Sequence, residues 1–236
     1  MTRREGGGVN VRSRDHGFAL VLVLVLMSAT FQVAAPEGDV SQLVSIALGA
    51  VTLGVSAWAA SAQRGVVRGA VAAAAALVVV AALVLLVTGD VPAAAGAIAS
   101  GLLVAFAPVV IAGGLVRDVR AEGAVSMRTL SGVLAIYLLL GMFYSFLDAA
   151  VAEIGSSPFF AGNAAPDRSD FLYFSYVTLS TVGYGDLVAA TDVGRAVAVS
   201  EALLGQIYLV TVVALIVSNL RPGAAAAQRA PHPPPP

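Results

Sequence analysis

The sequence predicts an all-α integral membrane protein with six transmembrane helices. Hydrophobic residues make up 58% of the 236 residues and charged residues only 11%, and the mean hydropathy of +0.89 is far above that of soluble domains. Apolar runs long enough to cross a bilayer lie at 17–35, 40–62, 69–88, 92–116, 129–147 and 196–220, and only the last contains a charge, Glu201. Because lipid offers the backbone no hydrogen-bond partner, runs of this length are expected to be helical.

The positions of the arginines predict the orientation of these runs. The chain has no lysine, and with the N-terminus inside, all arginines except Arg168 and Arg195 fall on the cytoplasmic side. The acids show the opposite bias, and Asp148 is assigned to the external ones. We therefore expect a multi-pass protein of the plasma membrane with both termini in the cytoplasm.

The first run has two interpretations. Arginines, an apolar run and then Val33-Ala34-Ala35 imitate a cleaved signal peptide, whereas Pro36 directly after that site and the length of the run favour a retained helix. With a retained helix, we expect a cytoplasmic tail at 1–16, a four-helix membrane domain at 17–116 and a cytoplasmic linker at 117–128. A second membrane domain is expected at 129–220, followed by a disordered, Pro-rich cytoplasmic tail at 221–236.

The sequence lacks the residue sets of common catalytic sites. There is no cysteine, and the two histidines, His16 and His232, lie in opposite polar tails. Paired His and Ser, metal-spaced His or Glu, and phosphate-binding glycines are also absent. We therefore expect neither an enzyme nor a bound cofactor.

A polar segment with a distinctive ending separates the fifth and sixth runs. It continues as DFLYFSYVTLSTVGYGDLV, and its core is Thr181-Val182-Gly183-Tyr184-Gly185-Asp186. This TVGYGD sequence, placed between two membrane runs, resembles the selectivity filter of potassium channels. The resemblance covers about 129–220 and leaves the first four runs unassigned.

The resemblance implies a pore domain with an outer helix at 129–150, a pore helix at 170–180, a filter at 181–185 and an inner helix at 196–220. The filter residues would be Thr181, Val182, Gly183, Tyr184 and Gly185, with K⁺, the permeant ion, held by the carbonyls of the first four. Four equal carbonyls per ring require four copies of the loop, which predicts a homotetramer. Glycines at 183 and 185 permit the alternating backbone that such carbonyls need.

Several residues near the filter are expected to support it. We expect Asp170 to cap the pore helix. Tyr184 would turn its ring toward that helix, and Thr178 would support the filter from the end of the helix. Aromatic packing around the filter is assigned to Phe171, Tyr173, Phe174 and Tyr176. Many family members have tryptophans here and this chain does not.

Three further positions have alternative interpretations. Asp186 would stabilise the outer mouth of the filter, or be an ordinary surface acid. Glu201 would lie behind the filter and bond to the pore helix or filter backbone, or reach the outer interface. Gly205 falls where the family often has a gating hinge, although glycine also serves simple helix packing.

The first four runs lack the features of known gates. The fourth run contains no arginine array, so little voltage dependence is expected. Arg117, Arg120 and Arg128 follow it and could bind anionic lipid headgroups and couple the first four helices to the pore. The predicted function is passive, K⁺-selective conduction. The alternatives are a less selective cation channel of the same fold, or a non-conducting membrane scaffold or sensor subunit.

Overall fold

The described part of the chain folds into seven helices. The computed structural model describes residues 16–60, 64–89, 92–122, 126–162 and 165–219, and in these ranges no strand is present. The helices are α1 (Gly17–Ala34), α2 (Asp39–Ala59), α3 (Arg64–Thr88), α4 (Ala93–Glu122), α5 (Met127–Ile154), α6 (Arg168–Leu179) and α7 (Asp192–Asn219). Six are long and apolar enough to span a membrane, whereas α6, with 12 residues, is too short. The prediction of six membrane helices is confirmed.

The core lies where α1 and α4 pack on α5, the expected outer helix of the pore domain, while α2 packs on α1 and α4. Phe18 and Val21 of α1, Ile111 of α4 and Leu139 of α5 are fully buried in one apolar cluster. By contrast, α3 packs mainly on α2. The first helix is therefore an integral part of this bundle, and α5 connects the bundle to the pore helix α6 and the inner helix α7.

One corner of the bundle is joined by arginines. Arg117 of α4 and Arg128 of α5 donate through Nη2 to the carbonyls of Ala60 and Ala59, at 2.9 and 2.8 Å, where α2 ends. The Arg128 guanidinium also lies 5.0 Å from the centre of the Phe18 ring and 3.3 Å from a carboxylate oxygen of Asp118. These cations satisfy carbonyls that the helix end leaves unpaired.

Two expectations gain detail from this arrangement, and both stay predictions. Within the cytoplasmic linker expected at 117–128, α4 continues to Glu122 and α5 begins at Met127, after the capping box of Ser126 and Thr129. Arg117 and Arg128, which could bind lipid headgroups, also donate to protein carbonyls at the end of α2. The predicted tails at 1–16 and 221–236 lie outside the described residues except for His16.

Candidate functional site: the loop between the outer and inner pore helices

The pore helix α6 begins two residues earlier than predicted. Its N-cap is Asp167, whose carboxylate accepts from the backbone N–H of Asp170 at 2.9 Å. Asp170, expected to be the cap, instead accepts through its carboxylate from the backbone N–H of Asp167 and completes a capping box. The hydroxyl of Ser169 and the N–H of Asp170 lower the pKa of Asp167, because they stabilise the ionised carboxylate.

The N-terminal bundle also contacts the first turn of α6. Glu37, in the turn between α1 and α2, accepts from the backbone N–H of Arg168 at 3.0 Å. The Arg168 guanidinium reaches Ser45 of α2 at 3.4 Å. The start of the pore helix is thus positioned by residues more than a hundred positions earlier. No sequence signal distinguished Glu37 from the other acids.

The backbone of the expected filter, residues 181–185, alternates between left-handed and ordinary conformations. Positive φ occurs at Thr181 (59°), Gly183 (57°) and Gly185 (79°), while Val182 and Tyr184 between them do not share it. The two glycines are in the conformations that their sequence positions predict. Thr181 is unexpected, since a β-branched residue with positive φ is strained by roughly 1–3 kcal/mol.

The end of the pore helix holds the beginning of this filter. The N–H of Thr181 donates to the carbonyl of Thr178 at 2.9 Å, and the N–H of Val182 donates to the carbonyl of Val177 at 3.0 Å. Gly183 also reaches the Val177 carbonyl, at 3.3 Å. Thr178 therefore contacts the filter through its backbone, and Val177 shares that role.

Two aromatic rings join the filter to α6. The rings of Tyr173 and Tyr184 are nearly parallel, 5° apart, with centres separated by 6.4 Å. The Tyr173 hydroxyl donates to Asp186 at 2.7 Å. This bond lowers the pKa of Asp186 and raises that of Tyr173 to about 12, because the hydroxyl proton is held by a carboxylate. Tyr173, Tyr184 and Asp186 are thus brought together, and the bond between Tyr173 and Asp186 is one that the sequence does not predict.

The other aromatic residues of α6 do not surround the filter of their own chain. Phe171 and Phe174 instead pack with Phe159 and Phe160, from the loop after α5, in a buried cluster with edge-to-face and tilted ring contacts. The Tyr176 hydroxyl donates to the carbonyl of Leu138 in α5. The expected filter contact of Phe174 is therefore not found in the described chain, and its ring stabilises the loop before the pore helix.

Glu201 lies behind the pore helix. Its side chain is completely buried, and its Oε1 atom is 2.5 Å from Oγ of Ser175 in α6. The same Ser175 oxygen is 2.6 Å from the carbonyl of Gly141 in α5. One turn further along α5, Tyr144 bonds to Ser200, the neighbour of Glu201. The alternative position of Glu201 at the outer interface does not occur.

Asp148 is a second buried acid, and it lies just beyond the apolar run at 129–147. It lies inside α5, fully buried, and neither carboxyl oxygen has a hydrogen-bond partner. Its assignment to the external side stays a prediction. Because α5 continues to Ile154, Asp148 is an ionisable residue inside a membrane-length helix, where a functional role is expected.

Gly205 of α7 makes a close backbone contact with the pore helix. A β-carbon at this position would lie 2.2 Å from the carbonyl oxygen of Leu179, the last residue of α6. No other residue fits without moving one of the two helices. Of the two interpretations of Gly205, packing is thus present in the structure, and a hinge role stays a prediction.

Comparisons with known proteins agree with this geometry. The family model described as "Ion channel" matches residues 132–221, which include α6, the filter and α7. "Two pore potassium channel a" of Oryza sativa subsp. japonica is 38% identical over 97 residues, covering 40% of this chain and 24% of that protein. "Protein LctB" of Geobacillus stearothermophilus is 47% identical over 53 residues, covering 22% of this chain and 39% of that protein. No solved structure matches the chain.

A second rice protein, "Two pore potassium channel b", is 36% identical over 85 residues, covering 35% of this chain and 22% of that protein. The chain thus spans about a quarter of the length of the two rice relatives. An ion channel family is not a class of enzymes. Residues 132–221 are thus similar to the family described as "Ion channel" and, through the two rice relatives, to proteins named potassium channels.

Proposed function

We propose that this protein is a K⁺-selective channel that conducts passively through a tetrameric pore. The observation that carries this proposal is the TVGYGD segment with its alternating backbone, held against α6 by Tyr173. Potassium gives up its hydration shell only where oxygens replace it, and rings of backbone carbonyls do so. K⁺ would bind at the carbonyls of Thr181, Val182, Gly183 and Tyr184.

A single chain supplies only one of the carbonyls that each ring requires. The filter is open to solvent in the isolated chain, where Tyr184 is 71% exposed. One side of α7 is also apolar and uncovered, at Val199, Leu203, Ile207, Val210 and Val213. Four copies arranged around the filter would cover part of that surface. Native mass spectrometry should find four times the chain mass of 23.7 kDa, and a monomer at all concentrations would contradict the tetramer.

Flux from K⁺-loaded liposomes tests conduction, and a pair of glycine variants tests the filter. Gly185→Ala introduces a side chain at φ 79°, with no atom close enough to clash. Gly162→Ala makes the same change at φ 82°, also in open space, in the loop before the pore helix. We expect Gly185→Ala to abolish flux and Gly162→Ala to retain it. Equal flux in both variants and the wild type would rule out the filter assignment.

Reversal potentials distinguish the alternatives within transport. In mixed K⁺ and Na⁺, a K⁺-selective pore gives a reversal potential that follows the K⁺ gradient. A potential that follows both gradients would identify a less selective cation channel. Absence of any flux from correctly assembled protein would favour a non-conducting scaffold or sensor subunit.

The N-terminal bundle supports a pore that voltage does not open steeply. In α4 the first arginine is Arg117, and its guanidinium is bonded to the carbonyl of Ala60 at the end of α2. Residues 93–116 of this helix contain no charge that could move in the field. Planar bilayer recordings should show open probability nearly independent of voltage. A gating current before opening would contradict this proposal.

Among Arg117, Arg120 and Arg128, we propose Arg120 as the residue that contacts anionic lipid headgroups. It is exposed near the end of α4. We expect flux in vesicles containing anionic lipid to exceed flux in neutral vesicles, and Arg120→Gln to reduce the difference. The proposed location is the plasma membrane, with both termini cytoplasmic. Protease protection of tags at each terminus in intact cells tests that orientation, and cleavage of either tag from outside would refute it.

A further inference from the structure

The hydroxyl of Ser175 lies between two oxygen atoms that compete for its proton. It is 2.6 Å from the carbonyl oxygen of Gly141 in α5 and 2.5 Å from Oε1 of Glu201 in α7. A serine hydroxyl carries one proton, and a backbone carbonyl carries none. If Ser175 donates to Gly141, a second proton must lie between Ser175 and Glu201, and only the carboxyl group can supply it.

The surroundings of Glu201 offer no cation to balance a negative charge. Its side chain is fully buried, and its second oxygen, Oε2, has no hydrogen-bond partner. The titratable groups facing it are Tyr137, Tyr144 and Asp148 of α5 and Tyr176 of α6. No ion pair to Glu201 is present in the part of the chain that the structure describes. An ionised carboxylate in such a site inside a membrane helix is strongly disfavoured.

We infer that Glu201 is held as a neutral carboxylic acid and forms a proton-binding site behind the filter. The carboxyl O–H donates to Ser175, and the Ser175 O–H donates to the carbonyl of Gly141. This chain of two hydrogen bonds joins α7, α6 and α5, in that order. The site lies two helical turns from Asp148 along α5, counted from Gly141.

Loss of the proton would break one of the two connections. With Glu201 ionised, the single proton of Ser175 can serve the carboxylate or the Gly141 carbonyl, but not both. The hydrogen bond from Ser175 of α6 to Gly141 of α5 would then weaken, and with it the connection between the pore helix and the outer helix. The effect on conduction rests on the proposed channel function, whereas the protonation state can be measured without any flux.

Infrared difference spectroscopy of the full chain in lipid measures that protonation state directly. At neutral pH the wild type should show the carbonyl stretch of a protonated carboxylic acid, and Glu201→Gln should lose one such band. Asp148→Asn separates the contribution of the second buried acid. If Glu201→Gln leaves every carboxylic acid band in place, the inference is wrong, even if the protein conducts K⁺ as proposed.

Thermal unfolding of the same variants supplies a second measurement. The amide N–H of glutamine can donate to Ser175 as the acid does, so Glu201→Gln should retain the wild-type midpoint at neutral pH, while Glu201→Ala and Ser175→Ala should lower it. At alkaline pH the wild-type midpoint should fall and that of Glu201→Gln should not. Glu153→Gln, at the exposed end of α5, should behave as wild type. A Gln variant as unstable as the Ala variant, or an alkaline fall in both, would overturn the inference.

Discussion

Tyr173 and Asp186 are connected by a hydrogen bond of 2.7 Å that links the pore helix to the residue after the filter. The same tyrosine ring lies parallel to that of Tyr184. One side chain thus contacts the outer part of the filter in two ways, through its ring and through its hydroxyl.

Tyr173→Phe separates these two contacts, because it retains the ring and removes the hydroxyl. Because the pKa of Asp186 is lowered, its carboxylate is ionised and accepts the hydrogen bond from Tyr173 at any pH above the ordinary pKa of Asp, about 3.9. This bond is lost as the pH falls through the lowered pKa. In Tyr173→Phe, block of flux by external acid should therefore begin at a higher pH than in the wild type. Acid titration of liposome flux measures this, with Glu153→Gln as a control. An unchanged titration would show that Tyr173 does not control Asp186.

The capping box of α6 should contribute to the stability of the protein. Removing the acceptor in Asp167→Ala should cost about 1 kcal/mol, the usual loss for an N-cap. Because the pKa of Asp167 is lowered, its contribution should be present above the ordinary pKa of Asp and disappear at lower pH. Thermal unfolding in detergent checks both effects. Asp192→Asn, an exposed acid in the first turn of α7, should change little, and an equal loss there would argue against a specific cap.

The contacts of Arg128 predict that its removal destabilises the protein more than the removal of Arg120. Arg128→Ala should destabilise the protein by about 2 kcal/mol, since it removes a charged hydrogen bond to Ala59 and the contact with the Phe18 ring. Arg120→Ala should stay near wild type because Arg120 is exposed. Chemical denaturation of the two variants makes the comparison. Equal losses would indicate a general effect of charge instead of these contacts.

Gly205→Ala tests the close approach of α7 to the pore helix. The added methyl group meets the carbonyl of Leu179, and relieving that contact should cost about 1–3 kcal/mol. Gly113→Ala, in an open part of α4, should be neutral or stabilising by up to about 1 kcal/mol. A Gly205→Ala protein of wild-type stability but altered opening would instead support the hinge interpretation.

The membrane helices and the position of the filter could be predicted because both depend on local information. Apolar runs must be helical in lipid, and Gly183 and Gly185 permit positive φ wherever the chain folds. The contacts behind the filter could not be predicted in the same way. Ser175 meets Glu201 only because α5, α6 and α7 pack side by side, and nothing in an aromatic-rich run identifies that serine as the partner.

Boundaries were less accurate for a related reason. A helix ends where its terminal N–H and C=O groups find partners, and the apolar run does not reveal those partners. Arg117 extends α4 past the membrane run because its guanidinium finds a carbonyl on α2. Asp167 and Asp170 are three residues apart and share the cap, so choosing one of them from the sequence placed the helix start two residues late.

The bond between Glu37 and the N–H of Arg168 limits how far this protein can be reduced by engineering. A minimal two-helix pore beginning near α5 would contain the filter, but it would leave the backbone N–H of Arg168 without its acceptor Glu37 and the Arg168 guanidinium without Ser45. Grafting this filter onto a smaller scaffold therefore requires a replacement carboxylate at that point.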